Sequence, residues 1–232
     1  GDTTVAQLLL NQEIIKCTTD PIYFIETYLT IFDQTQGTAG LIVPFKLFDF
    51  QKEAVTNCNG FFHNSELSGA LAVMPTASGK SVVIAEITKN LDNVLVLVPS
   101  SELLLQNEIA MINSGVIPCV YSASISRAEV GKIMLATIGS IQNLGKDVKK
   151  AGIKNVICDE AHFKLNFEKG GMFYNFLKDL KPKKILGLTA TPFLNTTYSG
   201  RPMTRMMHRI KGCPFTEIIH LTQFNEVINS GR

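Results

Sequence analysis

Lys80 and Ser81 sit where the stretch "LAVMPTASGKSVVI" (residues 71–84) passes from one apolar run, through a short polar turn, into another. A lysine and a hydroxyl that open a helix after such a turn suit the holding of phosphates. The amides of Thr76, Ala77, Ser78 and Gly79 can converge on oxygens, Lys80 can reach the outer phosphates, and Ser81 can hold magnesium. Against the pattern G-x-x-x-x-G-K-[ST], Met74 replaces the first glycine and Ala77 stands in mid-turn. Met74 reads as the last residue of the entering strand, and a methyl group at Ala77 is tolerated wherever φ is negative. A second set lies in "VICDEAHF", where Asp159 and Glu160 follow an apolar run. There Asp159 can hold magnesium through water, and Glu160 can orient or deprotonate an attacking water. A solvated acidic loop would use the same residues. His162 has no H-E-x-x-H or other clustered ligands beside it, so a zinc site is not expected. A third set, Thr189 and Thr191 in "LGLTATPF", offers hydroxyls that can bond to the acidic loop and report its state.

These residues need a scaffold that brings them to one place. Short apolar runs recur at 70–74, 94–98, more weakly at 116–121, and at 133–137, 155–159 and 184–189, with stretches between them long enough for crossover helices. Near-continuous apolar strands of this kind predict an α/β domain with a mostly parallel sheet covered on both faces, and a ligand at the strands' carboxyl ends. Val83, Ile87 and Leu91 follow at helical spacing, and "SSELLLQNEIAMINSG" begins with serine caps and closes near Gly115. Ahead of the sheet, residues 1–44 predict a helical accessory region. Asp20 and Pro21 start a helix along whose stripe Ile22, Ile25, Tyr28, Leu29 and Phe32 recur. The stretch 195–232 reads as less strand-like.

Composition narrows the classes. Of the 232 residues 45% are hydrophobic and 18% charged, enough for a sizeable core and below the usual charged share of roughly 25%. No run of 18 apolar residues and no signal-peptide pattern is found, so a soluble intracellular protein is expected. Cys17, Cys58, Cys119, Cys158 and Cys213 are far apart with no C-x-x-C, which predicts free thiols. A net charge of +2 does not by itself announce nucleic acid, so any such site depends on local placement.

Taken together, "PTASGKS", "DEAH" and "LTATP", in that order, resemble the first RecA-like motor domain of superfamily 2 DEAH-type helicases and translocases, over residues 45–232. The resemblance implies ATP and Mg2+ as cofactors: Lys80 and Ser81 on the phosphates and metal, Asp159 and Glu160 in hydrolysis, and His162, Thr189 and Thr191 coupling hydrolysis to nucleic acid. Such motors usually carry glycine where Ala77 stands, a departure that bears on rate more than on binding. "PFKLFDFQKEAV" resembles the adenine-recognition segment and nominates Phe50 for stacking and Gln51 for hydrogen bonds to the base, with Phe48 in place of a frequent arginine. Two further segments resemble those lying along a nucleic-acid backbone and nominate Ser100, Ser101 and Gln106, then Thr137, Ser140 and Gln142. Read singly, these are equally helix caps. Lys146, Lys149, Lys150 and Lys154 either add charge or form a solvated helix end.

The resemblance also implies DNA rather than RNA as partner, a monomeric fragment with no membrane contact, and a place in the cytoplasm of a host or phage-infected cell. A second RecA-like domain, expected outside this chain, would supply arginines to the phosphates. Residues 1–232 alone would then be folded but nearly inactive, with Arg201, Arg205 and Arg209 in ordinary surface pairs. The start of the chain, "DPIYFIETYLTIF", resembles the opening of bacteriophage large terminase subunits, which suggests a phage or viral origin and keeps a DNA-packaging ATPase as one alternative. The other is a nucleotide-dependent scaffold without turnover, suggested by Met74 and Ala77.

Overall fold

Fully apolar five-residue runs bury side chains on both faces, and here they do so as neighbours in one sheet. The computed structural model describes residues 46–163, 171–198 and 201–230. The chain divides into two compact units, Gly1–Val43 and Pro44–Arg232. The helical region expected over 1–44 lies outside the described residues.

A helix, α1 (Asp49–Asn64), leads into β1 (Gly69–Val73), α2 (Lys80–Thr88), β2 (Val94–Val98) and α3 (Ser101–Asn113). Then come β3 (Cys119–Ser122), β4 (Arg127–Ala128), β5 (Ile133–Thr137), and the short helices α4 (Ile138–Ile141) and α5 (Gly145–Lys150). The rest is β6 (Asn155–Cys158), α6 (Met172–Leu180), β7 (Lys184–Thr189), β8 (Phe193–Tyr198), β9 (Arg201–Met206), β10 (Glu217–Leu221) and α7 (Phe224–Asn229).

Eight strands form the main sheet in the order β10-β1-β7-β6-β2-β5-β3-β4. Every pairing is parallel except β3 with the edge strand β4. The fold is thus an α/β RecA-like domain with a largely parallel sheet flanked by helices. β1 and β2 are buried along their whole length. One face packs Leu71, Leu95, Leu97 and Met134 against Phe173, Phe176 and Phe215. Among the described residues no helix is long and apolar enough to cross a membrane. Cys58, Cys119, Cys158 and Cys213 are free thiols, with Cys58 pushed up to about 12 by burial.

The runs at 94–98, 133–137 and 184–189 are strands over those same residues. The weak run at 116–121 becomes a strand only from Cys119, since Pro118 offers no N–H to a ladder and Ile117 is exposed. The expectation of little strand after 195 is corrected. β8 and β9 form an antiparallel hairpin, and β10 adds to the main sheet beside β1. β10 is half-covered and carries Glu217 and His220, so its apolar signal is short. His220 ties it to α1: its Nδ1 lies 3.1 Å from Asn57 Nδ2 and its Nε2 2.8 Å from Thr222 Oγ1.

Candidate functional site

Parallel strands end on the same edge, so the turns leaving β1, β6 and β7 meet. Met74 N–H donates to the Thr189 carbonyl at 2.9 Å and extends the β1 ladder by one residue. The loop then turns through Ala77 (φ 62) and Gly79 (φ 79), and α2 begins at Lys80. The condition under which a methyl group is tolerated at Ala77, a negative φ, is therefore not met. Ala77 takes the left-handed conformation that suits glycine, at a cost of roughly 1–2 kcal/mol for a residue with a Cβ. Ser78 is fully buried and its Oγ has no hydrogen-bond partner. Lys80 and Ser81 are almost as enclosed, at 9% and 8% exposure.

Gln51 braces this loop from behind. Its Nε2 donates to the Ser78 carbonyl at 2.8 Å, and its Oε1 accepts from Phe48 N–H at 3.0 Å. Both ends of the amide are thus engaged by the protein rather than turned to a ligand. Phe50, nominated for base stacking, is instead buried, and it stacks on Phe48 with ring centroids 5.8 Å apart. Phe50 and Gln51 lie on the buried face of α1, while Phe48, just ahead of the helix, is half-buried.

The acidic loop is held as tightly. Asp159 N–H donates to the Leu97 carbonyl at 2.8 Å, which carries the β6 ladder onward. The Asp159 carboxylate is buried: Oδ2 accepts from Asn107 Nδ2 and Oδ1 from Glu160 N–H, each at 2.9 Å. Burial pushes its pKa up, against the Asn107 hydrogen bond, and neighbouring Glu160 adds to the rise. Asn107 was not among the residues nominated. Its sequence signal is a polar residue on the buried face of α3, which also holds Leu104, Glu108 and Met111. Glycine 187 in the middle of β7 sets the loop's height: a Cβ there would lie 2.8 Å from both Ala161 Cβ and Leu71 Cδ2.

Glu160 has φ 47, and its side chain links two elements. Oε1 lies 3.2 Å from Lys80 Nζ and Oε2 3.4 Å from His162 Nδ1. His162 Nδ1 is also 2.8 Å from Thr189 Oγ1, which accepts from Thr191 N–H at 3.0 Å. A continuous polar chain thus runs from the phosphate loop through the acidic loop to the end of β7. Thr191 joins it through its backbone, its side chain being exposed.

Among the described residues no group of three or more His, Cys, Asp or Glu could hold a metal ion. The donor set fits a magnesium nucleotide instead. Magnesium keeps most of its waters and takes one or two protein oxygens with phosphate oxygens, which Asp159 and Ser81 can supply. The orphaned Ser78 hydroxyl leaves a donor at a helix start for phosphate.

The segments nominated for nucleic acid end on the same edge. Ser100 Oγ accepts from Leu103 N–H at 3.4 Å and caps α3, where Ser101 is half-buried and Gln106 exposed. Thr137 Oγ1 lies 2.8 Å from Ser140 Oγ and 3.3 Å from Ser122 Oγ, and Ser140 Oγ also accepts from Ala123 N–H at 2.9 Å. Thr137 and Ser140 thus lace the loops after β3 and β5 together. Ser122 and Ser124, whose hydroxyls are 2.9 Å apart, join this cluster without having been nominated. Gln142 stays half-buried beyond α4.

Residues 44–194 match the family profile described as "Type III restriction enzyme, res subunit". No curated protein matches the chain. Among solved structures, a nuclease-deletion mutant of the Type ISP restriction-modification enzyme LlaGI, in complex with a DNA substrate mimic, is 19% identical with a TM-score of 0.57, covering 81% of this chain and 21% of that one. The UvsW helicase from bacteriophage T4 is 15% identical with a TM-score of 0.55, covering 82% of this chain and 66% of that one. Dbp5 of S. cerevisiae, bound to RNA and ADP BeF3, is 18% identical with a TM-score of 0.53, covering 78% of this chain and 47% of that one. At such identities the likeness is one of fold, and this chain spans only part of each of these proteins.

Proposed function

The chain belongs to the family of the type III restriction enzyme res subunit, and from that membership we propose that it is the ATP-binding lobe of a nucleic-acid-dependent motor, a helicase or duplex translocase whose track is DNA. The observation that carries this reading is the polar chain from Lys80 through Glu160 and His162 to Thr189. It joins the loop suited to phosphates to the acidic loop and the end of β7, on the same sheet edge as the segments that carry Ser101, Gln106, Thr137 and Ser140. DNA is favoured over RNA by the family and by the likeness to the LlaGI structure with its DNA substrate mimic.

When bound, ATP with Mg2+ supplies the bond to be broken and a cation that stabilises charge on the departing phosphate. The rest falls to the chain's own side chains. Lys80 would exchange Glu160 for the outer phosphates, Asp159 and Ser81 would hold the cation, and Glu160, so freed, would orient water and take its proton. His162, bonded to Thr189, passes the change in Glu160 to the segment leaving β7. The transition-state charge also needs arginines, which we assign to a second RecA-like domain. Arg205 and Arg209 lie on β9 and just after it, exposed and beyond the sheet's motifs.

The test uses a longer protein carrying both domains. DNA should stimulate its ATP turnover, and Glu160→Gln should lower that turnover by roughly 10²–10⁴-fold while leaving ATP binding in place. Residues 1–232 alone should turn over little. Turnover by this fragment equal to the longer protein's would overturn the two-domain assignment, and its dependence on protein concentration would show whether self-association completes the site. The left-handed Ala77 favours one other reading, a nucleotide-dependent scaffold without hydrolysis. Single-turnover hydrolysis at an enzyme-like rate eliminates it.

A further inference from the structure

Away from the nucleotide edge, Lys146, Lys149, Lys150, Lys178 and Lys181 line a groove of about 490 Å3 between α5 and α6, with Asp179 the acidic member of the lining. All five lysines are exposed. Lys150 pairs with Asp147 at 3.3 Å, and among the described residues the other four lysines have no ion-pair partner. On α5 three of them stand at i, i+3 and i+4, the spacing that puts side chains on one helix face. Like charges so placed repel, so their convergence costs the fold something unless a polyanion offsets it.

Convergence also requires two distant parts of the chain to meet closely. Gly145 opens α5 directly against α6: a Cβ there would lie 2.8 Å from the Phe176 carbonyl oxygen and 2.9 Å from Asp179 Cβ. Without that Cβ the two helices approach backbone to backbone, and Lys178 and Lys181 come alongside the α5 lysines. The site is separate from the nucleotide edge. α5 and α6 both run back toward the amino ends of the strands they feed, so Lys150 and Lys181 lie near the starts of β6 and β7. The phosphate loop leaves the opposite ends, a strand length of roughly 15–20 Å away.

We propose that this groove is a second nucleic-acid contact, which holds the phosphate backbone of duplex DNA flanking the motor's track. The inference rests on the motor reading above and extends it. Lysine chemistry selects phosphates without reading bases. A lining of lysines and one aspartate gives bases no aromatic platform to stack on, which favours a duplex over a single strand. The contact would keep the lobe on DNA while the nucleotide edge cycles.

The probe is a fluorescent blunt duplex of arbitrary sequence, titrated by anisotropy over a salt series with the whole 232-residue chain. The variant is the triple substitution Lys149→Gln, Lys178→Gln and Lys181→Gln, on exposed side chains whose loss leaves the core intact. Three lost phosphate contacts should flatten the slope of log affinity against log salt by roughly 2–3. ATP affinity of the same variant should be unchanged. If the parent chain binds the duplex and the variant binds with the same slope, the groove proposal is overturned while the motor reading stands. If the parent does not bind the duplex even at low salt, the groove is likewise refuted, and the motor reading is decided separately by Glu160→Gln turnover. Poly-glutamate bound as tightly as the duplex, with the same loss in the variant, would reassign the groove to an acidic protein segment.

Discussion

At the carboxyl edge of the sheet Lys80, Glu160 and His162 meet at 3.2–3.4 Å, and buried Asp159 takes hydrogen bonds from two donors. Between α5 and α6, lysines stand exposed, four of them without an ion-pair partner among the described residues. The first arrangement is a fixed, largely enclosed constellation, in which each group depends on its neighbours and a single loss propagates. The second is a field, in which each cation adds a little and salt screens all of them. Charge held for chemistry and charge held for adhesion thus differ in burial and pairing more than in residue type.

The largest expected effect tests the constellation at its centre. Lys80→Ala removes the cation proposed to reach the outer phosphates and leaves Glu160 with His162 alone. ATP affinity should fall by roughly 10–100-fold, the worth of a charge-assisted hydrogen bond. Calorimetry showing parental affinity would break the contrast between the two edges, since Lys80 would then act as one cation among many. Next comes Asn107→Ala, which strips a donor from a buried carboxylate and should cost about 1–3 kcal/mol of stability in urea titration. An unchanged midpoint would mean that Asp159 does not depend on that donor.

A smaller effect, opposite in sign, is expected from Ala77→Gly. Relief of the left-handed alanine gains roughly 1–2 kcal/mol, and the freer unfolded chain takes back about 0.4–1 kcal/mol. A gain of about 0.5–1 kcal/mol in unfolding free energy by urea titration, with no loss of ATP affinity, is the expected result. A fall would show that other contacts fix the loop against the residue's own preference.

The smallest effect is one of pH. His220 is buried, and burial lowers its pKa. With Asn57 Nδ2 as donor, Nδ1 accepts and Nε2 carries the proton to Thr222, so charging the ring would set N–H against N–H at Asn57. The folded pKa therefore lies below the unfolded value of about 6.5, and this contribution to stability is present above that value. It is lost as pH falls below about 6.5 toward the folded pKa, because the unfolded chain takes up a proton that the fold resists. Urea midpoints from about pH 8 to about pH 5 should decline less in His220→Gln than in the parent. Parallel curves would remove His220 from the account.

How far the sequence carries depends on burial. "VLVLV" is apolar throughout, and "IMLAT" and "KILGLT" are so between their ends, because both faces of those strands are covered, and they announce themselves. The strand Glu217–Leu221 borders the sheet with its first and last residues exposed, and the hairpin before it is rich in threonine and arginine, so neither rises above a loop in composition. Lys80, Asp159, Glu160, His162 and Thr189 were legible because residue type and strand ends together specify them. The left-handed backbone at Ala77 and Glu160 was not, since it is imposed by the strands on either side of each turn. Gln51 shows a related limit. Its type and position were noticed, but which partner its amide meets depends on how α1 lies against the loop. The lysine groove was half visible. Lys146, Lys149 and Lys150 stand together in the chain, whereas Lys178 and Lys181 arrive through the contact at Gly145, and Lys154 lies outside the lining.

The place of β1 in the sheet bears on the order in which the protein can be assembled. It is the first of the described strands to leave the ribosome, yet its two neighbours are β7 and β10, both from late in the chain. The Thr216 hydroxyl that donates to the Gly69 carbonyl is 147 residues further on. At a synthesis rate of roughly 5–20 residues per second, that interval lasts about 7–30 s. Until β7 is made the strand feeding the loop has both hydrogen-bonding edges open, and from then until β10 is made it has one open, a condition that invites pairing with other chains. The nascent protein can therefore complete this element only after β7 and β10 have both been translated, and a ribosome stalled before residue 217 would hold a strand with one edge open to the wrong partner.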